Sequence, residues 1–194
     1  MAHPEYSRQL SLRAGTEADA DGIRALYAAA ARANGSLARY PEEITLDYVR
    51  TFITRSVADG VIVVAVTEDN EVVGELHCYR NGLRRFAHVM GSLTVAVHPT
   101  VQGQGVGRQM FDALMYEVQQ NRVDVLRIEL ITQESNVHAQ RLYSAVGFQP
   151  EGRLVDGILN TTTGQVESDI PMAWLRNRVV ATKLDARFKP NQLI

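Results

Sequence analysis

One cysteine, one tryptophan and six prolines are all that the 194 residues hold of those types. The lone Cys78 forms no internal disulfide. The apolar stretch Val61 to Val66 is far short of the roughly 18 residues that would span a membrane. The opening MAHPEYSRQLSLRAG lacks the basic start and apolar core of a secretory signal, so a cytoplasmic, membrane-free protein is expected. An excess of either charge is missing too. Against 22 Asp+Glu stand 20 Lys+Arg, a net charge of -2, which gives no general basic field for nucleic acid. His77 and His88 lie near each other, but no ligand spacing unites them, so no metal is expected.

What is present suits an ordinary folded domain. Apolar residues make up 45% and charged residues 22%, in the usual range, and the length suffices to bury a core without disulfides or metal. The reading is one domain over residues 1–176 and a C-terminal extension over 177–194, basic near its start and carrying Pro190.

Thr16-Glu17-Ala18-Asp19 starts a helix running to about Arg32. Tyr40-Pro41-Glu42-Glu43 opens a second helical stretch that stops before Asp59-Gly60. Val61 to Thr67 and Val72 to Arg80, joined by a polar turn, predict an antiparallel hairpin. A third strand ends at His98-Pro99. Met110, Phe111, Leu114, Met115 and Val118 recur at helical spacing, and Val125 to Thr132 alternates like a strand. A last helix from Asn136 to about Val146 ends at Gly147. Phe148 to Val155 and Asp169 to Leu175 predict two closing strands.

Between the third strand and the next helix lies Val101-Gln102-Gly103-Gln104-Gly105-Val106-Gly107-Arg108. Glycines at alternate positions let the chain turn tightly and offer successive amides to an anion at a helix N-terminus. A Walker A loop would need Lys-Ser or Lys-Thr where Arg108-Gln109 stands. A dinucleotide fingerprint fits Gly103-Gln104-Gly105 and Glu129, yet Arg108 occupies its third glycine position and the loop follows an antiparallel hairpin.

Gln102-x-x-Gly105-x-Gly107 resembles the QxxGxG/A pyrophosphate loop of the GCN5-related N-acetyltransferase (GNAT) superfamily. NVHAQRLYSAVGF, with Asn136, Ala139, Leu142, Tyr143, Gly147 and Phe148, is similar to that superfamily's second signature. EGRLVDG and DIPMAWL resemble its last two strands. The resemblance covers most of Leu10 to Leu175 and is nearest to the small-molecule N-acetyltransferases. It implies an α/β fold in which a single mixed, mostly antiparallel sheet of about seven strands, with a central splayed parallel pair, is flanked by about four helices.

The resemblance further implies acetyl-CoA as co-substrate. Val95, Ala96 and Val97 would meet the pantetheine arm, and the amides of Gly103, Gln104, Gly105, Val106, Gly107 and Arg108, introduced by Gln102, would hold the pyrophosphate. Asn136 would bond the arm, and Tyr143 would protonate the departing sulfur. Direct transfer needs a base, an oxyanion donor and an acid. Val97 N–H is the implied donor. Glu75, His98, Glu129 or a water chain is the base, with Glu75 taken first. A solvated sheet position is the competing reading for Glu75 and Glu129. The expected acceptor is the primary amine of a small molecule, such as an amino acid or an amine-bearing toxin or antibiotic. Acetylation of a protein lysine or N-terminus, and a non-catalytic acyl-CoA-binding module, are the alternatives. Leu37 to Ile44 and Asn81 to His88 would choose the acceptor. Family members often dimerise, so a homodimer is also expected.

Overall fold

The computed structural model describes residues 10–34, 37–160 and 163–176. Strand β1 (Ser11–Ala14) leads through a 3-10 turn at Glu17–Asp19 to helix α1 (Ala20–Asn34). Thr16 and Asp19 cap this entry reciprocally, satisfying amides that the first turn leaves open. Helix α2 (Leu46–Asp59) starts at Thr45, whose hydroxyl accepts from Tyr48 N. Strands β2 (Gly60–Val66), β3 (Val72–Tyr79) and β4 (Val89–Val97) follow. Then come helix α3 (Val106–Asn121), strand β5 (Arg127–Gln133), helix α4 (Val137–Ala145) and strands β6 (Gln149–Pro150), β7 (Leu154–Leu159) and β8 (Val166–Leu175).

The strands are hydrogen-bonded in the order β1-β2-β3-β4-β5-β8-β6, with β7 on β8. The expected mixed, mostly antiparallel sheet with four helices is present. Its parallel ladder is short: β4 and β5 match only at Val89 with Arg127 and Met90 with Ile128. Along β8, by contrast, β5 pairs over its full length from Arg127 to Gln133. A parallel pair that meets at one end in this way is the splayed arrangement expected.

The closing region differs from the sequence expectation. In place of one strand from Phe148 to Val155 there are two short ones, bringing the total to eight. Pro150 has no N–H to continue a ladder. The intervening residues are held otherwise: Glu151 N donates to Pro171 O, Glu151 binds Arg127, and Arg153 binds Glu134. A bulge follows within β7, where Asp156 has φ 53. Similarly, β5 begins at Arg127 because Val125 N closes a turn on Arg122 O.

The chain divides into two compact units, one within Met1–His77 and Val95–Phe111, the other within Cys78–Thr94 and Asp112–Ile194. In the first, β1 pairs antiparallel with β2, and β2 is buried along its whole length. Ile23, Leu26 and Tyr27 of α1 and Val49, Phe52 and Ile53 of α2 are all buried. Each such side chain contributes about 1.5–3 kcal/mol. The second unit buries Met90, Leu114, Val118, Ile128, Phe148 and Met172. Its Cys78 is buried, with Sγ 3.7 Å from Met90 Sδ, as expected of a small apolar residue. Gly147, at φ 100, ends α4; a Cβ there would stand 3.3 Å from Trp174. Proposed extension residues 177–194 lie outside the described residues.

Candidate active site

The glycine loop belongs to the first unit and is anchored at both ends. β4 stops where His98 N donates to Val73 O at 2.8 Å, and the His98 ring accepts from Thr100 N, capping a 3-10 turn at Pro99–Val101. Val101 and Val106 are buried, while 102 to 105 between them are exposed. Gln102 Nε2 donates to Val97 O at 3.0 Å, and Gln104 Nε2 donates to Thr100 O at 3.3 Å. The two glutamines thus fasten the loop back onto the strand end and the turn that precede it.

Gly103 and Gly105 have φ of 78° and 80°, a left-handed conformation that costs other L-residues about 1–2 kcal/mol. A Cβ on either would project into open space. Gly107 is different: it lies in the first turn of α3 with ordinary backbone angles. Gln109 N donates to Gly105 O, so the helix begins directly from the loop. Exposed, turned backbone leading into a long helix is what a polyphosphate requires. Residues 102 to 105 thus place exposed backbone directly before the start of α3. Upstream, Val95 and Val97 are half-buried and Ala96 is buried.

Glu75 lies in β3 and, contrary to the solvated alternative, is fully covered at 0% exposure. The Tyr27 hydroxyl donates to its Oε2 at 2.5 Å, and His77 Nδ1 is 3.1 Å from Oε1. His77 stacks on Phe52 with ring centroids 4.0 Å apart. Burial, then the charge of Glu75, pushes the Tyr27 phenol well above its usual range. The other two base candidates are solvent-accessible. Glu129 is half-exposed and bound to Arg127, and His98 serves the turn just described.

In the second unit, Asn136 is the N-cap of α4, its Oδ1 accepting from Ala139 N at 3.1 Å. That fixes the carboxamide and leaves its N–H groups for another acceptor. Tyr143, about two turns further on, is buried at 8% exposure and packs near Phe148. Burial pushes its phenol up to about 12, so it is a protonated donor at neutral pH. Sequence reasoning missed Tyr27 and His77 as partners of Glu75. The one available signal was that Glu75 and His77 share a face of a strand that is otherwise apolar.

Among the described residues no group of His, Cys, Asp and Glu could hold a metal ion. No helix among them is long and apolar enough to cross a membrane.

Residues 58–150 match the acetyltransferase (GNAT) domain family. Among solved structures, yncA from Salmonella typhimurium, determined with acetyl-CoA, is similar at 19% identity and a TM-score of 0.75, covering 87% of this chain and 95% of that one. A ribosomal-protein-alanine N-acetyltransferase from Brucella melitensis is similar at 23% identity and a TM-score of 0.73, covering 86% and 99%. A chimera of the spermidine N-acetyltransferase SpeG from Vibrio cholerae is similar at 22% identity and a TM-score of 0.66, covering 91% and 99%.

Proposed function

We propose that this chain, whose residues 58–150 match the GNAT acetyltransferase domain family, transfers the acetyl group of acetyl-CoA to the primary amine of a small molecule. The observation that carries the transfer reading is the loop from Gln102 to Arg108, with its left-handed, uncovered glycines opening into α3.

Acetyl-CoA supplies an activated thioester whose carbonyl carbon the acceptor nitrogen attacks directly. The chain's residues do the rest. Amides of Gly103 to Arg108 hold the pyrophosphate, and the exposed guanidinium of Arg108 adds a positive charge where a helix start already favours anions. The backbone of Val95 to Val97 lines the pantetheine arm, with Val97 N–H as donor to the developing oxyanion. Asn136 offers its N–H groups to the arm. Tyr143, held neutral by burial, donates a proton to the leaving sulfur, and Glu75 receives the proton that the acceptor must lose before attack.

A small acceptor is favoured by how firmly the segment from Leu37 to Ile44 is held. The Arg39 guanidinium lies 4.0 Å over the Tyr48 ring, a contact worth about 0.5–2 kcal/mol. Tyr40 N donates to Glu43 Oε2 at 2.9 Å, and Ile44 is buried. A pinned segment closes around a compact ligand more readily than it opens a groove for a polypeptide. The structural neighbours include one enzyme named for a polyamine and one named for a protein, so the acceptor is tested directly. Purified protein is mixed with acetyl-CoA and either a panel of amino acids, polyamines and aminated antibiotics or peptides bearing a free N-terminus or lysine, and thiol release is followed. Release with small amines is expected; release with peptides alone would replace this reading by protein acetylation.

A further inference from the structure

We infer that Tyr27 and His77 are positioning residues for Glu75, setting how readily that carboxylate takes up a proton. This rests on the reading of Glu75 as the base, and goes beyond it by naming the groups that tune it.

A carboxylate with no exposed surface loses its hydration and is tolerated only with close polar partners. Glu75 has two. Tyr27 donates to Oε2 at 2.5 Å, and His77 Nδ1 lies 3.1 Å from Oε1 and 3.3 Å from Oε2. The same nitrogen is 3.4 Å from the Tyr27 oxygen. All three residues are at most 2% exposed, so carboxylate, phenol and imidazole form a closed group sharing its protons.

The geometry is fixed from both sides. Tyr27 stacks on Phe52 at 5.6 Å, and Phe52 stacks on His77 at 4.0 Å, so α1, α2 and β3 each contribute a ring. The other titratable groups acting on Tyr27 are Tyr48 from α2 and Arg39 from the segment before it. Tyr48 is itself half-buried, 6.5 Å from Tyr27 between ring centroids, and carries Arg39 on its face. A line of polar and aromatic groups therefore runs from the covered carboxylate to the surface beside the segment from Leu37 to Ile44.

The chemistry follows from the donors. An acceptor enters as an ammonium; one N–H bond breaks, the electron pair stays on nitrogen, and the proton, carried inward by water because Glu75 is covered, forms an O–H or N–H bond within the Glu75–His77 pair. Each hydrogen bond donated to the carboxylate favours its charged form, and removing a donor removes that preference.

The experiment uses the full chain and three substitutions. Tyr27→Phe keeps the ring stack and removes one donor. His77→Leu removes the other, and His77→Asn restores an N–H near the Nδ1 position. In Tyr27→Phe and His77→Leu the acidic limb of kcat/KM against pH moves to higher pH by about one unit, the tenfold change that follows loss of one donor to a charged acceptor. In His77→Asn the limb returns toward that of the unsubstituted protein. Binding of coenzyme A is unchanged in all three.

A second readout needs no acceptor. The NMR titration of the His77 imidazole should shift in Tyr27→Phe and in Glu75→Gln. A folded Tyr27→Phe protein with an unshifted imidazole titration, or with an acidic limb superimposable on that of the unsubstituted protein, would overturn the inference and identify the cluster as packing alone. Failure of every small amine to be acetylated would instead remove the proposed acceptor class, while the imidazole titration still decides the role of Tyr27.

Discussion

Gln102 donates its carboxamide N–H to the carbonyl of Val97, five residues earlier and 3.0 Å away. The signature glutamine thus works backwards: it ties the exposed loop to the strand end just before it. Gln102→Ala should loosen the loop and weaken binding of coenzyme A about 3- to 10-fold, the range expected for one net hydrogen bond. Because Gln102 is exposed, the melting temperature should barely move. Calorimetric titration with coenzyme A, beside a thermal melt, separates the two effects.

The three loop glycines should respond differently to a methyl group. Gly103→Ala and Gly105→Ala force a side chain into the left-handed region and should each destabilise the fold by about 1–2 kcal/mol, without steric clash, since the space around them is open. Gly107→Ala, in the helix, should be neutral or stabilising by about 0.5–1 kcal/mol. Urea unfolding curves for the three variants test this order; equal losses at all three positions would contradict the backbone reading.

How far the chain spoke for itself differs by region. β2 is legible from Val61 to Val66 because an apolar run rich in β-branched residues suits a strand buried on both faces. Asn136 is legible as a helix start because a short amide side chain caps helices in any context. The break after Pro150 is not, since it depends on Arg127 and Glu134, partners 24 and 19 residues away from the residues they bind. Glu75 is the sharpest case. In VVGELHCYR, alternation puts it on one face with His77, and its burial is tolerable because the Tyr27 hydroxyl, 48 residues earlier, and the His77 ring both partner it.

Tyr143 gives a pH prediction with a definite sign. Its phenol ionises near 10 in the unfolded chain and is pushed up to about 12 by burial. Between about pH 10 and 12 the folded state holds the extra proton, so stability falls as pH rises through that window. Tyr143→Phe should make this alkaline decline shallower, leaving the share that the raised Tyr27 phenol contributes, read from denaturant midpoints at successive pH values. The same variant should lower turnover at neutral pH about 10²-fold or more and spare coenzyme A affinity. Unchanged turnover would remove Tyr143 from the acid role.

Arg176 closes the second unit from the end of the described chain. It donates through Nε to Val125 O at 2.8 Å and through Nη2 to Val118 O at 2.6 Å and Arg122 O at 3.2 Å, capping α3 and the turn after it. Arg176→Ala orphans those carbonyls and should destabilise the fold by about 2–4 kcal/mol, visible as a lowered melting temperature. Arg176→Lys, with a charge but no fork, should recover part of the loss.

The distribution of rare side chains also decides what an observer can see. The sole tryptophan, Trp174, and the sole cysteine, Cys78, both belong to the second unit. Intrinsic fluorescence at tryptophan-selective excitation and thiol labelling therefore report on the same part of the molecule. Agreement between those two signals is no evidence that the whole chain unfolds at once. A reporter at the exposed position of Gln104 extends the reading to the unit that bears the glycine loop.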